Sequence, residues 1–187
     1  DFLQTRLKEE RPHEVQPILE RMVKAYEKAG DWEKAYFTCK QLNDPDALAG
    51  VVEEAGTPML QTALVTLEGW INSLPPSLVR TRPGLISLRG PVMAMKGNLQ
   101  ESNDLLDKAI SLYRKNGDVA GLILALTRRA HTLRLSGNYN ASNKDIEEAL
   151  QLSELEINYQ PLYAEALRIK GLNYYRLGDS RLAVESL

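Results

Sequence analysis

The sequence predicts an all-α protein, an α-solenoid of antiparallel helical hairpins repeating every 40 to 41 residues. Three observations predict it. A glycine followed by a small polar residue opens one helix-like stretch after another: "GDWEKAY" at Gly30, "GNLQESNDLLDKAI" at Gly97, "GNYNASNKDIEEAL" at Gly137 and "GDSRLAVESL" at Gly178. The last three starts stand 40 and 41 residues apart, the fixed period of a stacked repeat. Apolar residues recur at three- and four-residue spacing, as in Leu105, Leu106, Ala109, Ile110 and Tyr113, or Ile146, Ala149, Leu150, Leu152 and Leu155. Strand signals are nearly absent.

The elements follow in order. Helices are expected near 12–29, 32–42, 45–55, 58–73, 83–96, 99–115, 119–136, 139–156, 160–177 and from 180 onward. Each glycine of a Gly-Asp or Gly-Asn pair ends one helix in the left-handed conformation. The polar residue after it caps the next helix through that helix's orphan N–H groups. Gly56 is expected to begin the most degenerate unit. "NSLPPSLVRTRPG", residues 72 to 84, is the one proline-rich connection. There Pro75 and Pro76 end a helix and Pro83 starts the next. It reads as a spacer within a single continuous solenoid, with degenerate hairpins over 1–74 and regular ones over 75–187. Pro91, after Gly90, removes a backbone hydrogen bond and is expected to kink its helix at a cost of about 3 kcal/mol if uncompensated.

Bulk properties narrow the function classes. The 187 residues are 43% apolar and 26% charged, ordinary for a globular domain. A net charge of −2 implies no general affinity for nucleic acid or anionic membrane. The lone Cys39 rules out an internal disulfide and fits a reducing, cytoplasmic setting. No run of about 18 apolar residues occurs. "DFLQTRLKEE" lacks a secretory signal, and "LAVESL" stops inside a periodic stretch, so a piece of a longer protein is expected.

The hairpins resemble tetratricopeptide repeats. In "LRIKGLNYYRLGDSRLAVESL" the family pattern is met by Gly171, Tyr174, Gly178 and Ala183. The small residues let two helices approach closely; their counterparts are Ala130 with Ser142 and Gly90 with Ser102. The Gly137 unit adds Tyr139, Ile146 and Ala149, the Gly97 unit Leu106 and Ala109, and the first unit Tyr26, Gly30, Trp32 and Ala35. "LEGWINSLPPSLVRTRPGLISLRG" with the following "GNLQESNDLLDKAI" further resembles the superhelical domain of MalT-like regulators, signal-transduction (STAND) ATPases with a LuxR-type DNA-binding helix-turn-helix. Trp70, Leu74, Pro75, Arg82, Pro83, Leu85, Gly97 and Leu105 carry that match. The resemblance implies a right-handed superhelix whose first helices line a concave surface, and a sensor that relieves autoinhibition of an ATPase lying elsewhere.

No phosphate-binding loop is present, and His13 and His131 lie far apart, with "HEVQP" lacking the second histidine of a zinc-protease motif. No catalytic residue, metal or cofactor is expected. Cys39 falls where the repeat wants an apolar side chain. Charge is more informative. The first helices and their lead-ins carry Arg80, Arg82, Arg89, Lys96, Arg128, Arg129 and Arg134 without a carboxylate. The second helix after Gly137 carries Asp145, Glu147, Glu148, Glu154 and Glu156 against Lys144. A basic groove and an acidic outer face are expected. Helical spacing places Thr127, Arg128, His131 and Arg134 on one stripe, with Glu165, Arg168, Tyr175 and Arg176 on the next first helix and Ser87 upstream. Arginine suits carboxylate or phosphate, and tyrosine adds a stacking face. The same arginines equally suit pairing with Glu165 and nearby acids to stitch repeats together, and His131 suits packing as well as proton switching.

Three functions fit: a ligand- or protein-binding sensor module of a signal-transduction ATPase, a general protein-interaction scaffold holding an acidic peptide, and an accessory domain without a ligand. Direct nucleic-acid binding is disfavoured by the lack of interleaved aromatics. The solenoid end around Leu182 and Leu187 is expected to expose a surface for a second copy.

Overall fold

Eleven α-helices and no strand make up the described residues, 12–154 and 160–186, of the computed structural model. They are α1 (Pro12–Ala29), α2 (Trp32–Lys40), α3 (Pro45–Thr62), α4 (Leu64–Ser73), α5 (Pro76–Thr81), α6 (Pro83–Met95), α7 (Leu99–Asn116), α8 (Val119–Leu135), α9 (Tyr139–Ser153), α10 (Gln160–Leu177) and α11 (Ser180–Glu185). The side chain of His13 and residues Leu155, Glu156 and Leu187 lie outside the described residues, as does the segment before residue 12. The chain divides into two compact units between Arg80 and Thr81.

The turns form as the sequence dictates. Gly137 and Gly178 take the left-handed conformation, with φ of +78° and +84°. Around Gly137 the N–H of Asn138 donates to the Leu133 carbonyl (2.9 Å) and that of Gly137 to Arg134 (3.0 Å), which satisfies the orphan carbonyls of α8. Asp31, Asp118, Asn138 and Asp179 accept from the third residue of the helix that follows each. Asn98 alone among these starts makes no side-chain cap bond.

Two expectations are corrected, and α6 is continuous through Pro91. Gly56 does not begin a helix: α3 runs from Pro45 to Thr62 through Gly56 and Pro58, with Gly56 buried. The break falls at Ala63, whose φ of −147° and ψ of 46° leave the helical region. The proline-rich spacer contains a helix of its own, α5, which opens on Pro76 because the first helical position needs no N–H. Pro91 does not interrupt α6, which continues from Pro83 to Met95. The residue before it is glycine, so the usual clash of a proline ring with the preceding Cβ is absent.

In the first unit α1 packs on α2, α2 on α3 and α3 on α4. Tyr36 of α2 stacks on Trp70 of α4, the ring planes 2° apart and the centroids 4.1 Å apart. The Ser73 hydroxyl donates to the Trp70 carbonyl (2.7 Å), so it accepts from the Tyr36 hydroxyl (2.7 Å). Cys39 is buried beside this core, and burial first, then Asp44 and Glu27, pushes its thiol up to about 11.

The second unit holds three hairpins, α6/α7, α8/α9 and α10/α11. A Cβ on Gly90 would stand 2.6–2.9 Å from the branched end of Leu106, and one on Gly121 would fall within the Tyr113 ring. Hydroxyls and amides tie each second helix to the next hairpin. Ser142 Oγ donates to the Ala130 carbonyl (2.7 Å) and accepts from Asn173 Nδ2 (2.8 Å), which also reaches Asn143 Oδ1 (2.8 Å). One repeat earlier, Ser102 meets the Thr132 hydroxyl at 2.9 Å. Thr132 stands where the later repeat has Asn173, cannot span to Asn103, and leaves Asn103 Oδ1 buried without a hydrogen bond.

Three stability outcomes are expected from urea unfolding. Gly90→Ala costs about 1–3 kcal/mol through overpacking against Leu106, whereas Gly69→Ala, in an exposed helical position with open space, adds about 0.5–1 kcal/mol. Thr132→Asn supplies the missing donor to Asn103 and adds about 1 kcal/mol; an unchanged or lower midpoint refutes the assignment of that polar tie.

Candidate functional site

Within the second unit α8 packs against α6 and α10 as well as against its own neighbours in the chain, while α7 and α9 scarcely meet. The first helices therefore lie closer together than the second helices do, and their outer faces form one inner strip. The residues expected to form a binding site fall on these three helices, and the structure separates them into three groups.

The first group is closed. Ser87 and Thr127 are buried, and Thr127 spends its hydroxyl on the Ile123 carbonyl at 2.8 Å. Half-buried Arg128 donates from Nη1 to Ser87 Oγ at 2.8 Å, which ties α8 to α6. Burial pushes its guanidinium down to about 10, so it stays cationic at neutral pH.

The second group is clustered between α8 and α10. Arg134 Nη2 lies 3.1 Å from His131 Nε2. A guanidinium only donates, so Nε2 accepts and the imidazole is neutral with its proton on Nδ1. Burial foremost, then Arg134 and Arg168, holds the His131 pKa below its ordinary value, with Glu165 acting in the opposite sense. Glu165 and Arg168 are paired bidentately at 2.7 and 2.8 Å. Nε of Arg134 is buried without a hydrogen-bond partner.

The third group is open. Tyr175 and Arg176 stand at the exposed end of α10. Tyr175 (67% exposed) and Leu177 (46%) on α10, Met95 (69%) on α6 and Leu135 (45%) on α8 leave large apolar side chains in water near the end of each first helix.

The expected separation of a basic first-helix face from an acidic second-helix face needs correction. Arg129 points away from the strip, into the junction of three helices. It binds the buried Asp145 of α9 through two hydrogen bonds of 2.6 and 2.8 Å and also bonds Asp107 of α7. Asp145 is thus an interior partner and no part of an outer acidic face. On the exposed side Glu148 is held by Arg114 at 2.7 and 2.8 Å. Helical phase is the signal that finds this: Arg129 is one residue, about 100°, from Arg128 and faces the second helices.

Among the described residues no group of three or more His, Cys, Asp or Glu side chains could hold a metal ion. No helix among them is long and apolar enough to cross a membrane.

No protein-family model matches the chain, and no curated protein matches it in sequence. Solved structures do match. The crystal structure of BtubC (BKLC) from P. vanneervenii superposes with a TM-score of 0.67 at 13% identity, covering 98% of this chain and 82% of that one. MamA MSR-1 C2 superposes with a TM-score of 0.55 at 16% identity, covering 91% of each chain. Identities this low show a shared fold, a TPR-like α-solenoid.

Asp145→Asn should cost about 1.5–3 kcal/mol in urea unfolding, because it removes the buried one of Arg129's two charged acceptors and leaves the half-buried guanidinium with Asp107 alone. The Arg129→Met/Asp145→Leu double variant should recover part of that loss. Equal stability of Asp145→Asn and the parent would show that the pair is energetically idle.

Proposed function

We propose that the second unit is a protein-interaction scaffold that holds a partner segment along α6, α8 and α10. The observation that carries this reading is that the C-terminal ends of all three first helices leave large apolar side chains exposed, Met95, Leu135, Tyr175 and Leu177, at the end of α8 that also carries the half-buried Arg134. Large apolar side chains left in water beside a cation mark a surface that gains by being covered. The TPR-like fold supports the reading, since stacked hairpins present such extended surfaces. It assigns the chain no chemical step and no cofactor.

The finer resemblance to MalT-like sensor domains supports the fold more than it supports sensing. Three of the residues that carry it, Trp70, Leu74 and Leu85, are core residues. They state how hairpins pack and say nothing of a ligand.

Selection of a random dodecapeptide phage library on the full chain tests the scaffold. Enriched peptides should bind the parent and lose at least tenfold in affinity to a Leu135→Glu/Tyr175→Glu variant that keeps the parent's helical circular dichroism. Peptides that bind both alike, or no enrichment at all, overturn the reading.

A further inference from the structure

We infer that Arg134 and His131 form a subsite for a carboxylate side chain of a partner peptide, and that Glu165 is its built-in competitor. The inference rests on the scaffold reading and names the chemistry of one position on that surface. Arg134 is half-buried and cationic, yet its one hydrogen bond goes to an uncharged imidazole. Its Nε has no partner, and no carboxylate pairs with it among the described residues. Arg89, Arg129 and Arg168 on the same three first helices each reach a carboxylate, Glu101, the two aspartates Asp107 and Asp145, and Glu165 respectively, Arg128 bonds Ser87, and Arg176 is exposed at the end of α10. A half-buried guanidinium without a counter-charge has lost hydration that a carboxylate can replace with paired, charge-assisted hydrogen bonds.

The surroundings say how the position is regulated. Three charged groups act on His131: Arg134 on its own helix, and Arg168 and Glu165 on α10. Two cations and one anion leave the cluster one negative charge short with His131 neutral, and two short when His131 is protonated. Glu165 is the anion acting on His131 among the described residues, and Arg168 holds it by both oxygens. A partner carboxylate supplies the second anion. It competes with the field of Glu165, and it stabilises the imidazolium that the free protein disfavours. Binding therefore takes up a proton. The pKa of His131 is held below 6.5 in the free chain and is raised in the complex, so affinity rises as pH falls between the bound-state and free-state values and is flat above the first and below the second. Tyr175 and Leu135, exposed beside this position, suit an apolar residue next to the acidic one.

The test uses the full chain, labelled with nitrogen-15, and three probes: an acetylated, amidated hexapeptide alternating Leu and Glu, its Leu/Gln counterpart, and inorganic phosphate. The Arg134 Nε–H resonance is followed at pH 7.5 and 5.5. The Glu peptide should shift it saturably and bind severalfold more tightly at pH 5.5, and the Gln peptide should not shift it. Arg134→Gln should abolish binding, and His131→Gln should remove the pH dependence. Glu165→Gln should tighten binding by up to about fivefold, the scale of an exposed ion pair, a gain that a folding defect cannot mimic. Saturation by phosphate but not by the Glu peptide overturns the peptide assignment in favour of a small-anion site. Peptide binding indifferent to Arg134, to Glu165 and to pH overturns the subsite while leaving the scaffold standing. No binding of the Glu peptide overturns the subsite, and failure of the phage selection as well removes the scaffold.

Discussion

Every feature of the second unit depends on how closely two antiparallel helices approach inside a hairpin. Ala130 and Ser142 face each other with no side chain larger than a hydroxymethyl between the backbones, and the serine hydroxyl fills the gap by bonding the Ala130 carbonyl. Gly90 accomplishes the same in the preceding hairpin by leaving room for Leu106. At that distance the long apolar residues of the second helix reach past the first helix into the core that Ile123, Leu126 and Ala149 share. The same distance lets one serine touch its own hairpin and the next, so that close approach and stacking register are set by the same atoms.

The parts of the fold legible in the sequence are those decided within a few residues. A left-handed glycine with a capping aspartate or asparagine needs only its own turn, and the period follows from counting such turns. What a proline does is less local. Pro58 and Pro91 both sit inside helices, the latter made tolerable by the glycine before it, while the real break in α3 comes at Ala63, which carries no breaking signal. Charge was legible as composition and misread as geometry. Counting arginines on a helix treats Arg128 and Arg129 alike, but one residue of rotation sends the first toward α6 and the second to Asp107 and Asp145. Of the expected site residues, His131, Arg134, Glu165 and Arg168 come together, because helical spacing is reliable within one helix and the period carries it to the next. Thr127 lies on the same helix as His131 and Arg134, and Ser87 on the preceding first helix, but both are buried, and depth is not encoded in spacing.

The pairing scheme shows how most of the arginines in the second unit's helical interior are answered by acids or hydroxyls. Acids on the second helices answer arginines on the first across the hairpin, and on the exposed side Arg114 answers Glu148. These pairs stitch repeats together, and Arg134 falls outside the scheme because its neighbour on the same face is a histidine. A single exchange of residue type thus separates a structural arginine from one open to a partner.

Contacts in the second unit join each helix only to those one or two places along the chain. Such a chain has low contact order, so it should fold fast and lose its ends before its middle. Its hairpins are coupled through nearest-neighbour contacts: a shared apolar core, the Arg129–Asp107 pair, and serines and asparagines that touch two hairpins. An occupant lying across α6, α8 and α10 bridges hairpins at a distance the backbone never spans, and so converts a row of pairwise-coupled neighbours into one cooperative body. Recognition and rigidity would then be the same event.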